Sequence, residues 1–204
     1  MFIIDDDQLF SRSIARVLDG QGYSTATYDS LAQLSAIEDI PQLGCAILDL
    51  NLMDSDGLQI QERLKKLAPT LAVIFVTGFG QVSSSVRAMK AGAVDFLEKP
   101  VEDTTLLRTV ERAVEQSKVL YREQRELQDL HRRLKTLSQR EREVFALISS
   151  GLLNKQAGAE LGITEKTVKV HRAQVMAKMG ASSFAELVKS AQRLGLAFTV
   201  VTGS

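Results

Sequence analysis

The sequence predicts an α/β domain with a doubly wound, five-stranded parallel sheet, followed by a long helix and an all-α domain. Three observations support this fold class. Apolar runs of strand length alternate with helical patterns up to about residue 102. Residues 103–135 are helical in pattern and contain no proline or glycine, and residues 137–197 contain only short helical segments. Alternating strands and helices are typical of a parallel sheet that is covered on both faces.

Five apolar runs in the first domain have the length of strands. They are FII (2–4), a weaker STATY (24–28), CAIL (45–48), LAVIFV (71–76) and VDFL (94–97). Helical patterns lie between them at 8–19, 57–67 and 81–91, where apolar residues recur on one stripe. Because the runs are almost continuously apolar, we expect strands that are buried on both faces.

The long helix predicted at 103–135 carries leucines at heptad spacing. They form two interleaved sets, Leu120, Leu127 and Leu134 in one, and Leu130 and Leu137 in the other. Such a seam, with Glu123 at one inward position, fits a coiled coil between protomers. A solvated linker helix rich in arginine, glutamate and glutamine explains the pattern equally well, so both interpretations stay open.

The last part of the chain predicts short helices that include a helix-turn-helix. The two helices of this motif are expected at about 154–161 and 165–179, and a final helix at about 183–194. Ser138, with Glu141 three residues later, has the pattern of a capping box at the start of the domain. Gly162 marks the turn of the motif, and Thr164 can cap the helix after it.

Composition predicts a globular protein of a reducing compartment. The chain has 204 residues, 45% hydrophobic and 25% charged, enough for one large or two small cores. Cys45 is the only cysteine, so an internal disulfide is excluded and a buried packing role is expected. No apolar run approaches the roughly 18 residues of a membrane span, and the N-terminus does not resemble a signal peptide. We therefore expect a soluble, cytoplasmic protein with no membrane partner.

The net charge of zero hides an asymmetry along the chain. Residues 1–117 contain 17 acidic and 10 basic side chains, and residues 118–204 contain 8 acidic and 15 basic ones. The two parts therefore carry net charges of −7 and +7. An acidic part joined to a basic part suggests two domains with different partners, of which the basic one is a candidate for binding nucleic acid.

Polar side chains follow four of the predicted strands at the point where each strand ends. Asp5 and Asp6 follow the first strand, Asp49 the third, Thr77 the fourth and Lys99 the fifth. Ligands of doubly wound sheets bind at the carboxyl ends of the strands. Several carboxylates suit a hard divalent cation such as Mg²⁺, and an ammonium with a hydroxyl would stabilise a phosphoryl group. No Gly-x-x-x-x-Gly-Lys loop is present, so a nucleotide is not the expected ligand.

Four motifs of residues 1–117 occur in one order and at one characteristic spacing. They are DD after the first strand, LDLNLMDSDG, VTGFG and AMKAGAVDFLEKP. Together they resemble the receiver domain of two-component response regulators. The resemblance implies a flavodoxin-like sheet with strand order 2-1-3-4-5. It also implies that Asp49 accepts a phosphoryl group from a sensor histidine kinase.

The same resemblance implies a metal site that shares Asp49 with the phosphorylation site. Mg²⁺ (or Mn²⁺) would be held by Asp5, Asp6, Asp49 and the backbone carbonyl of Asn51. The alternative class is a Mg²⁺-dependent phosphohydrolase with an aspartate nucleophile. That class would need a second aspartate two residues after the nucleophile, where this sequence has Asn51. We therefore expect a regulator and not an enzyme.

The remaining family positions at the rim imply a switch. Lys99 would contact the phosphoryl oxygens and Thr77 would swing toward them. Phe96 stands where the family keeps an aromatic that changes rotamer when Thr77 moves, although a core position would also explain it. The Lys99–Pro100 peptide bond is expected to be cis.

Three residues near the rim either have another interpretation or depart from the family. Asp7 is expected to cap the following helix rather than to bind metal. Met53 stands where the family usually has proline, which would loosen the loop. Phe79 places a bulky apolar group where an attacking water would approach, so we expect slow self-dephosphorylation.

The second helix of the predicted helix-turn-helix is basic. Val168, Val175 and Met179 are expected to face the core of the domain. The opposite face carries cations and small side chains, which suit phosphate and base contacts, although a solvated basic helix explains the charge alone equally well. The DNA contacts predicted on this face are Lys166, Lys169, Val170, Arg172 and Ala173, and Lys155 at the start of the preceding helix is placed for a phosphate.

The stretch LSQREREVFALISSGLLNKQAGAELGITEKTVKVHRAQVMAKM is similar along its length to the output domain of LuxR-type (NarL/FixJ) response regulators. This resemblance implies sequence-specific binding to double-stranded promoter DNA by a homodimer that forms on phosphorylation. It implies Thr167 and Lys178 as further DNA contacts, to phosphate. It also implies RNA polymerase as a partner and the helix at 183–194 as a dimer contact. The expected domains are a receiver at 1–117, a helical linker at 118–136, a DNA-binding domain at 137–197 and a tail at 198–204.

Overall fold

Two structural units divide the chain, Met1–Arg122 and Glu123–Ser204. The computed structural model describes residues 1–30, 32–33, 40–53, 56–78 and 82–196. Phe79 and the predicted tail at 198–204 lie outside these residues, so the expectations made for them stay predictions. Within these ranges, none of the helices combines the length and the apolar character that crossing a membrane requires.

A parallel sheet forms the centre of the first unit. Its strand order is β2-β1-β3-β4-β5, which confirms the predicted fold. The strands are β1 Phe2–Ile4, β2 Ala26–Tyr28, β3 Cys45–Leu48, β4 Ala72–Thr77 and β5 Asp95–Glu98. The range predicted for β3 is correct, and β4 and β5 lie one residue further along the chain than predicted.

The described helices of the first unit alternate with the strands along the chain. They are α1 Gln8–Gly20, α2 Gly57–Leu67, α3 Val82–Lys90 and the first part of α4, which covers Asp103–Lys135. Asp7 caps α1 as predicted, because its carboxylate accepts the N–H groups of Leu9 and Phe10 at 3.0 Å each. Asp56 caps α2 in the same way, accepting from the Leu58 N–H at 2.9 Å.

Alternate residues of the strands supply two apolar layers, one on each face of the sheet. Leu48 and Phe75 pack in one layer with α2 and α3, and Ile47 and Ile74 pack in the other with α1 and α4. Side chains of successive strand residues point to opposite faces. Burial on both faces therefore explains the almost continuous apolar runs in the sequence.

Cys45 begins β3 and is fully buried, as the sequence predicts. Its Sγ lies 3.4 Å from the Met1 Sδ. Burial disfavours the thiolate and raises the pKa of the Cys45 thiol to about 12. This thiol therefore acts as an apolar packing group and not as a nucleophile.

The second unit contains the rest of α4 and a set of shorter helices around one core. These are α5 Gln139–Ser149, α6 Asn154–Leu161, α7 Glu165–Met179 and α8 Phe184–Arg193. The last three agree with the predicted ranges to within one residue. Val168 and Val175 are buried as predicted, and they share one core with the fully buried Phe145.

The caps predicted for this unit are present. Ser138 and Glu141 form the capping box at the start of α5, and the Thr164 hydroxyl accepts the Thr167 N–H at 3.2 Å. Gly162 ends α6 with a φ of 66°, a conformation that favours glycine over residues with a Cβ. These local signals explain why the helix ends were predictable.

The heptad leucines near the C-terminal end of α4 pack in the core of the second unit. Leu130 and Leu134 of α4, and Leu137 just beyond its end, pack into the cluster that α5, α6, α7 and α8 form. Leu120 belongs to the first unit and is 37% exposed. The part of the seam from Leu130 onward is therefore occupied within the chain, which the leucine spacing alone does not reveal.

Candidate functional site

The carboxyl ends of four neighbouring strands bring the predicted rim residues together. Asp5 directly follows β1, Asp49 follows β3, Thr77 ends β4, and Lys99 follows β5. The strands are parallel and adjacent, so all four ends lie at one edge of the sheet.

Three carboxylates form the centre of this edge. Oxygen atoms of Asp5, Asp6 and Asp49 all lie within 4.8 Å of one another. Asp5 and Asp49 are only 3% and 7% exposed, and Asp6 is half-buried. Like charges at this separation repel each other in partly dehydrated surroundings, so the cluster needs positive charge.

Lys99 supplies part of that charge. Its Nζ donates to Asp5 Oδ2 at 2.6 Å and to Asp49 Oδ2 at 2.9 Å. Burial pulls the pKa of the Lys99 ammonium down, but the two hydrogen-bonded carboxylates outweigh burial, and this pKa lies above its ordinary value. Burial raises the pKa of the Asp5 carboxyl, and the hydrogen bonds from Lys99 and from the Asp7 N–H offset only part of this effect.

The aromatic ring of Phe10 is a further neighbour of Lys99, which sequence reasoning missed. The Lys99 Nζ lies 4.2 Å from the centroid of that ring. Phe10 is half-buried and packs against the apolar layer that contains Ile14 and Leu18. In the sequence it continues the helical stripe of α1, so nothing distinguishes it from an ordinary core residue.

The loop after β3 holds Asp49 in place. The Asn51 N–H donates to Asp49 Oδ1 at 3.1 Å, and Asn51 pairs with Asp56 in an antiparallel bridge. The Gly57 N–H donates to the Leu50 carbonyl at 2.8 Å. A Cβ on Gly57 would lie 2.3 Å from the Asp49 carbonyl oxygen, so only glycine fits this close approach.

The two residues predicted to form a switch lie on neighbouring strands. Thr77 is 1% exposed, and its carbonyl accepts the Lys99 N–H at 2.9 Å. Phe96 is half-buried on β5, and its ring centroid lies 6.2 Å from that of Phe75. The Lys99–Pro100 bond is cis, as predicted.

The donor set at the rim fits a hard divalent cation. The carboxylate cluster offers only oxygen atoms, and these are the ligands that Mg²⁺ prefers. Lys99 balances one of the three negative charges, so net negative charge remains for a metal ion. Chemically, the edge combines carboxylates, an ammonium and an oxygen-only donor set, which are the groups that phosphoryl transfer to a carboxylate requires.

Helix α7 presents a basic and small-residue face to solvent. Lys166, Lys169, Val170 and Ala173 are exposed on it. The Lys169 ammonium lies 2.9 Å from Glu165 Oε1, one turn earlier on the same helix. Exposed pairs of this kind contribute little to stability, so Lys169 can exchange Glu165 for a phosphate at small cost.

The other predicted DNA contacts have different surroundings. Lys155 is exposed at the start of α6, and the half-buried Thr167 shares a 2.8 Å hydrogen bond with the Thr164 hydroxyl. Arg172 is half-buried, with its guanidinium 4.6 Å from the centroid of the Phe184 ring. The neighbours of Arg172 and the Lys178 pair were not predicted. Lys178 donates to both oxygens of the buried Glu141, at 2.6 and 2.8 Å.

Comparison with known families agrees with the two structural units. Residues 1–111 match the family model described as the response regulator receiver domain. Residues 135–191 match the model described as bacterial regulatory proteins of the luxR family. The first match covers the four receiver motifs quoted from the sequence, and the second covers the helix-turn-helix.

Similar proteins extend over almost the whole chain. Nodulation protein W of Bradyrhizobium diazoefficiens is 38% identical over 198 residues, which cover 96% of this chain and 86% of that protein. The transcriptional regulatory protein FixJ of Rhizobium meliloti is 39% identical over 189 residues, which cover 93% of each.

Two solved full-chain structures are also similar. The response regulator StyR superposes with a TM-score of 0.79 at 36% identity, covering 94% of this chain and 97% of that chain. Full-length FixJ from B. japonicum superposes with a TM-score of 0.56 at 37% identity, covering 96% and 97%.

Proposed function

Since the chain belongs to the response regulators that join a receiver domain to a LuxR-type DNA-binding domain, we propose that Asp49 is its phosphorylation site. The observation that carries the proposal is the cluster of Asp5, Asp6 and Asp49 with Lys99 bound between two of them. The donor would be a phosphohistidine of a sensor histidine kinase. The protein is a transcriptional regulator and not an enzyme.

The chemistry is an in-line transfer between two side chains. An oxygen of the Asp49 carboxylate attacks the phosphorus atom and forms an acyl phosphate bond. The phosphorus–nitrogen bond breaks, and its electron pair stays on the imidazole nitrogen that leaves. Lys99, 2.9 Å from Asp49, is placed to stabilise the phosphoryl oxygens by charge.

We assign the metal site to Asp5, Asp6, Asp49 and the backbone carbonyl of Asn51. Mg²⁺ or Mn²⁺, when bound there, would neutralise negative charge on the carboxylates and on the transferred group. The oxygen-only donor set and the single shared ammonium support this assignment.

Thr77 and Phe96 are assigned to the response that follows phosphorylation. The hydroxyl of Thr77 would bind a phosphoryl oxygen, and Phe96 would change its packing as Thr77 moves. Thr77 ends β4, and the half-buried Phe96 lies on the adjacent strand β5, paired in the register with Phe75. These positions on neighbouring strands support this assignment. A small rearrangement of this kind shifts the population of a receiver that has two states.

We propose that phosphorylation promotes a homodimer that binds two half-sites of promoter DNA. Helix α7 would enter the major groove, α8 would contribute a dimer contact, and RNA polymerase would be a further partner. The proposed DNA contacts are Lys155, Lys166, Thr167, Lys169, Val170, Arg172, Ala173 and Lys178. The working domain limits are 1–117, 118–136 and 137–197, with a tail at 198–204.

Incubation with acetyl phosphate and Mg²⁺ tests the phosphorylation site. Intact-protein mass should rise by one phosphoryl group, and the gel shift on promoter DNA should strengthen in parallel. Asp49→Asn should abolish both responses. Asp56→Asn is the matched control, because it removes a nearby carboxylate and keeps a side chain that can cap α2. Phosphoryl uptake by the Asp49→Asn variant, or loss of uptake in the control, would refute the assignment.

A further inference from the structure

We propose that Phe10 is a positioning residue for Lys99, resting on the proposed phosphorylation of Asp49. The face of its ring holds the Lys99 ammonium at the point between Asp5 and Asp49. The cation that the Phe10 ring binds is therefore the Lys99 ammonium of the same chain. The consequence is a faster transfer to Asp49, because the ammonium is already in place when the phosphoryl group arrives.

Three contacts fix the Lys99 ammonium, and they differ in kind. Two are ionic, to Asp5 at 2.6 Å and to Asp49 at 2.9 Å, and one is the Phe10 ring at 4.2 Å. An ammonium within about 6 Å of a ring centroid is attracted to the negative face of the ring. The Lys99 side chain is only 17% exposed, so little water competes with this attraction.

The ring contact is the one of the three that does not depend on the charge of a carboxylate. Metal binding at Asp5 and phosphorylation of Asp49 both change the ionic contacts of Lys99. The ring of Phe10 stays neutral through these changes. The flexible lysine side chain loses rotational entropy when its ammonium is fixed at the site. A ring contact that persists keeps part of this freedom already lost, so less entropy is lost each time a phosphoryl group binds.

Phe10 is itself fixed by α1. Its backbone N–H donates to the Asp7 carboxylate at 3.0 Å, which anchors the first turn of the helix. The ring packs against the apolar layer that contains Ile14 and Leu106. The ring is thus packed against the core, and Lys99 lies over it. The neighbouring Leu9 is 80% exposed and provides a control position on the same turn.

Fluorination of the ring separates electrostatics from packing. Replacement of Phe10 by mono-, tri- and pentafluorophenylalanine keeps the ring in place but progressively removes the negative charge of its face. We expect the rate of phosphorylation by acetyl phosphate to fall with each step, by about three- to tenfold over the series. Phe10→Leu should lower the phosphorylation rate as much as the full fluorinated series does. Phe10→Tyr should retain most of the rate, and Leu9→Ala should leave the rate unchanged.

A second measurement uses Lys99 directly and needs no phosphorylation. The ring should shift the Lys99 ε-methylene proton resonances upfield, and Phe10→Leu should abolish that shift. In a Lys99→Gln background, the fluorinated series should no longer change the phosphorylation rate. The proposal would be overturned if fluorination did not change the phosphorylation rate of the native chain, or if it changed the rate equally in the native and Lys99→Gln chains. It would also be overturned if Phe10→Leu did not change the Lys99 ε-methylene resonances. If the native chain takes up no phosphoryl group at all, the proposed function fails, while the resonance shift still decides whether Phe10 holds Lys99.

Discussion

At the scale of single residues, the rim is a site with too little positive charge. Oxygen atoms of three carboxylates lie within 4.8 Å of one another, and the ammonium of Lys99 contacts only two of these carboxylates, Asp5 and Asp49. Burial raises the pKa of Asp5, which means that folding disfavours its ionised form. The folded state therefore loses stability as the pH rises above the ordinary aspartate range, until a cation binds.

Neutralising Asp5 should stabilise the chain in the absence of metal. We expect Asp5→Asn to raise the free energy of unfolding by about 1 kcal/mol at pH 7, and to remove the stabilisation that Mg²⁺ gives the native chain. Thermal unfolding of the receiver with and without Mg²⁺ measures both effects. Asp7→Asn removes a charge next to the cluster, keeps a capping side chain, and should leave the Mg²⁺ response intact. A less stable Asp5→Asn chain without Mg²⁺ would contradict this prediction.

Gly57 should tolerate no larger side chain. A Cβ there would lie 2.3 Å from the Asp49 carbonyl oxygen and 3.0 Å from the Phe75 ring. We expect Gly57→Ala to destabilise the receiver by about 1–3 kcal/mol, as overpacking typically does, and to slow phosphorylation. Chemical denaturation measures the first effect and phosphoryl uptake the second. Gly20→Ala, at a position with open space around the Cβ, should cost far less; equal costs would refute the steric argument.

At the scale of elements, helix ends were predictable and the partners of helices were not. Ser138, Thr164 and Gly162 are local signals, so the bounds of the helices around them follow from neighbouring residues. Leu134 was placed on a heptad seam, but it packs in the core of the second unit. Sequence spacing gives the face of a helix and not the element that covers it. In the same way, the spacing places Phe10 on one face of α1 but does not reveal that Lys99 lies over its ring.

The ion pair between α5 and α7 has an effect on stability that depends on pH. Hydrogen bonds from Lys178 and from the Ser138 N–H hold the pKa of Glu141 below its ordinary value. A depressed carboxyl pKa stabilises the fold above the unfolded-state value, and the stabilisation is lost as the pH falls through the folded-state value. Lys178, a predicted DNA contact, therefore also joins two helices.

Glu141→Gln should destabilise the DNA-binding unit at neutral pH, and the loss should shrink as the pH falls below the ordinary glutamate value of about 4.3. Protonated glutamate resembles glutamine in shape and charge, which is the reason for the convergence. Unfolding of native and variant chains across pH 7 to 3 measures the difference. Glu143→Gln, at a half-buried carboxylate of the same helix that pairs with the more exposed Arg140, serves as the control with little loss at any pH. A loss that stays constant with pH would contradict the ion-pair explanation.

At the scale of the whole molecule, the charge asymmetry and the shared edge of the sheet were predictable. The charge asymmetry follows from composition, and the shared edge follows from the alternation of strands and helices, since the carboxyl ends of parallel strands meet at one edge. The strand order itself was implied by the resemblance to receiver domains. The side-chain neighbours of Arg172 were not predictable, because Phe184 comes from the next helix and Asn154 from the preceding one. Contacts of this kind depend on the packing angles between helices. They hold Arg172 in one place on α7, which favours a defined contact over a diffuse one.

The basic part of the chain should bind DNA with a strong dependence on salt. Lys155 is exposed at the start of α6, and each phosphate contact adds nearly one unit to the slope of log Kd against log salt. We expect Lys155→Ala to lower that slope by about 1 and to weaken specific and non-specific DNA equally. Fluorescence anisotropy over a salt series measures both. Lys189→Ala removes one positive charge from α8 and serves as the control variant. If it lowered the slope as much as Lys155→Ala does, the effect would come from net charge and not from a phosphate contact of Lys155.

The buried position of Cys45 has a practical consequence for experiments on this protein. Its thiol is the only one in the chain, is fully enclosed, and has a pKa of about 12, so thiol reagents should leave the folded protein unmodified. A cysteine introduced at an exposed position such as Gln8 or Gln174 would then be the single reactive group. Fluorophores or spin labels can thus be attached next to the rim or on α7 without first removing the native cysteine from the sheet.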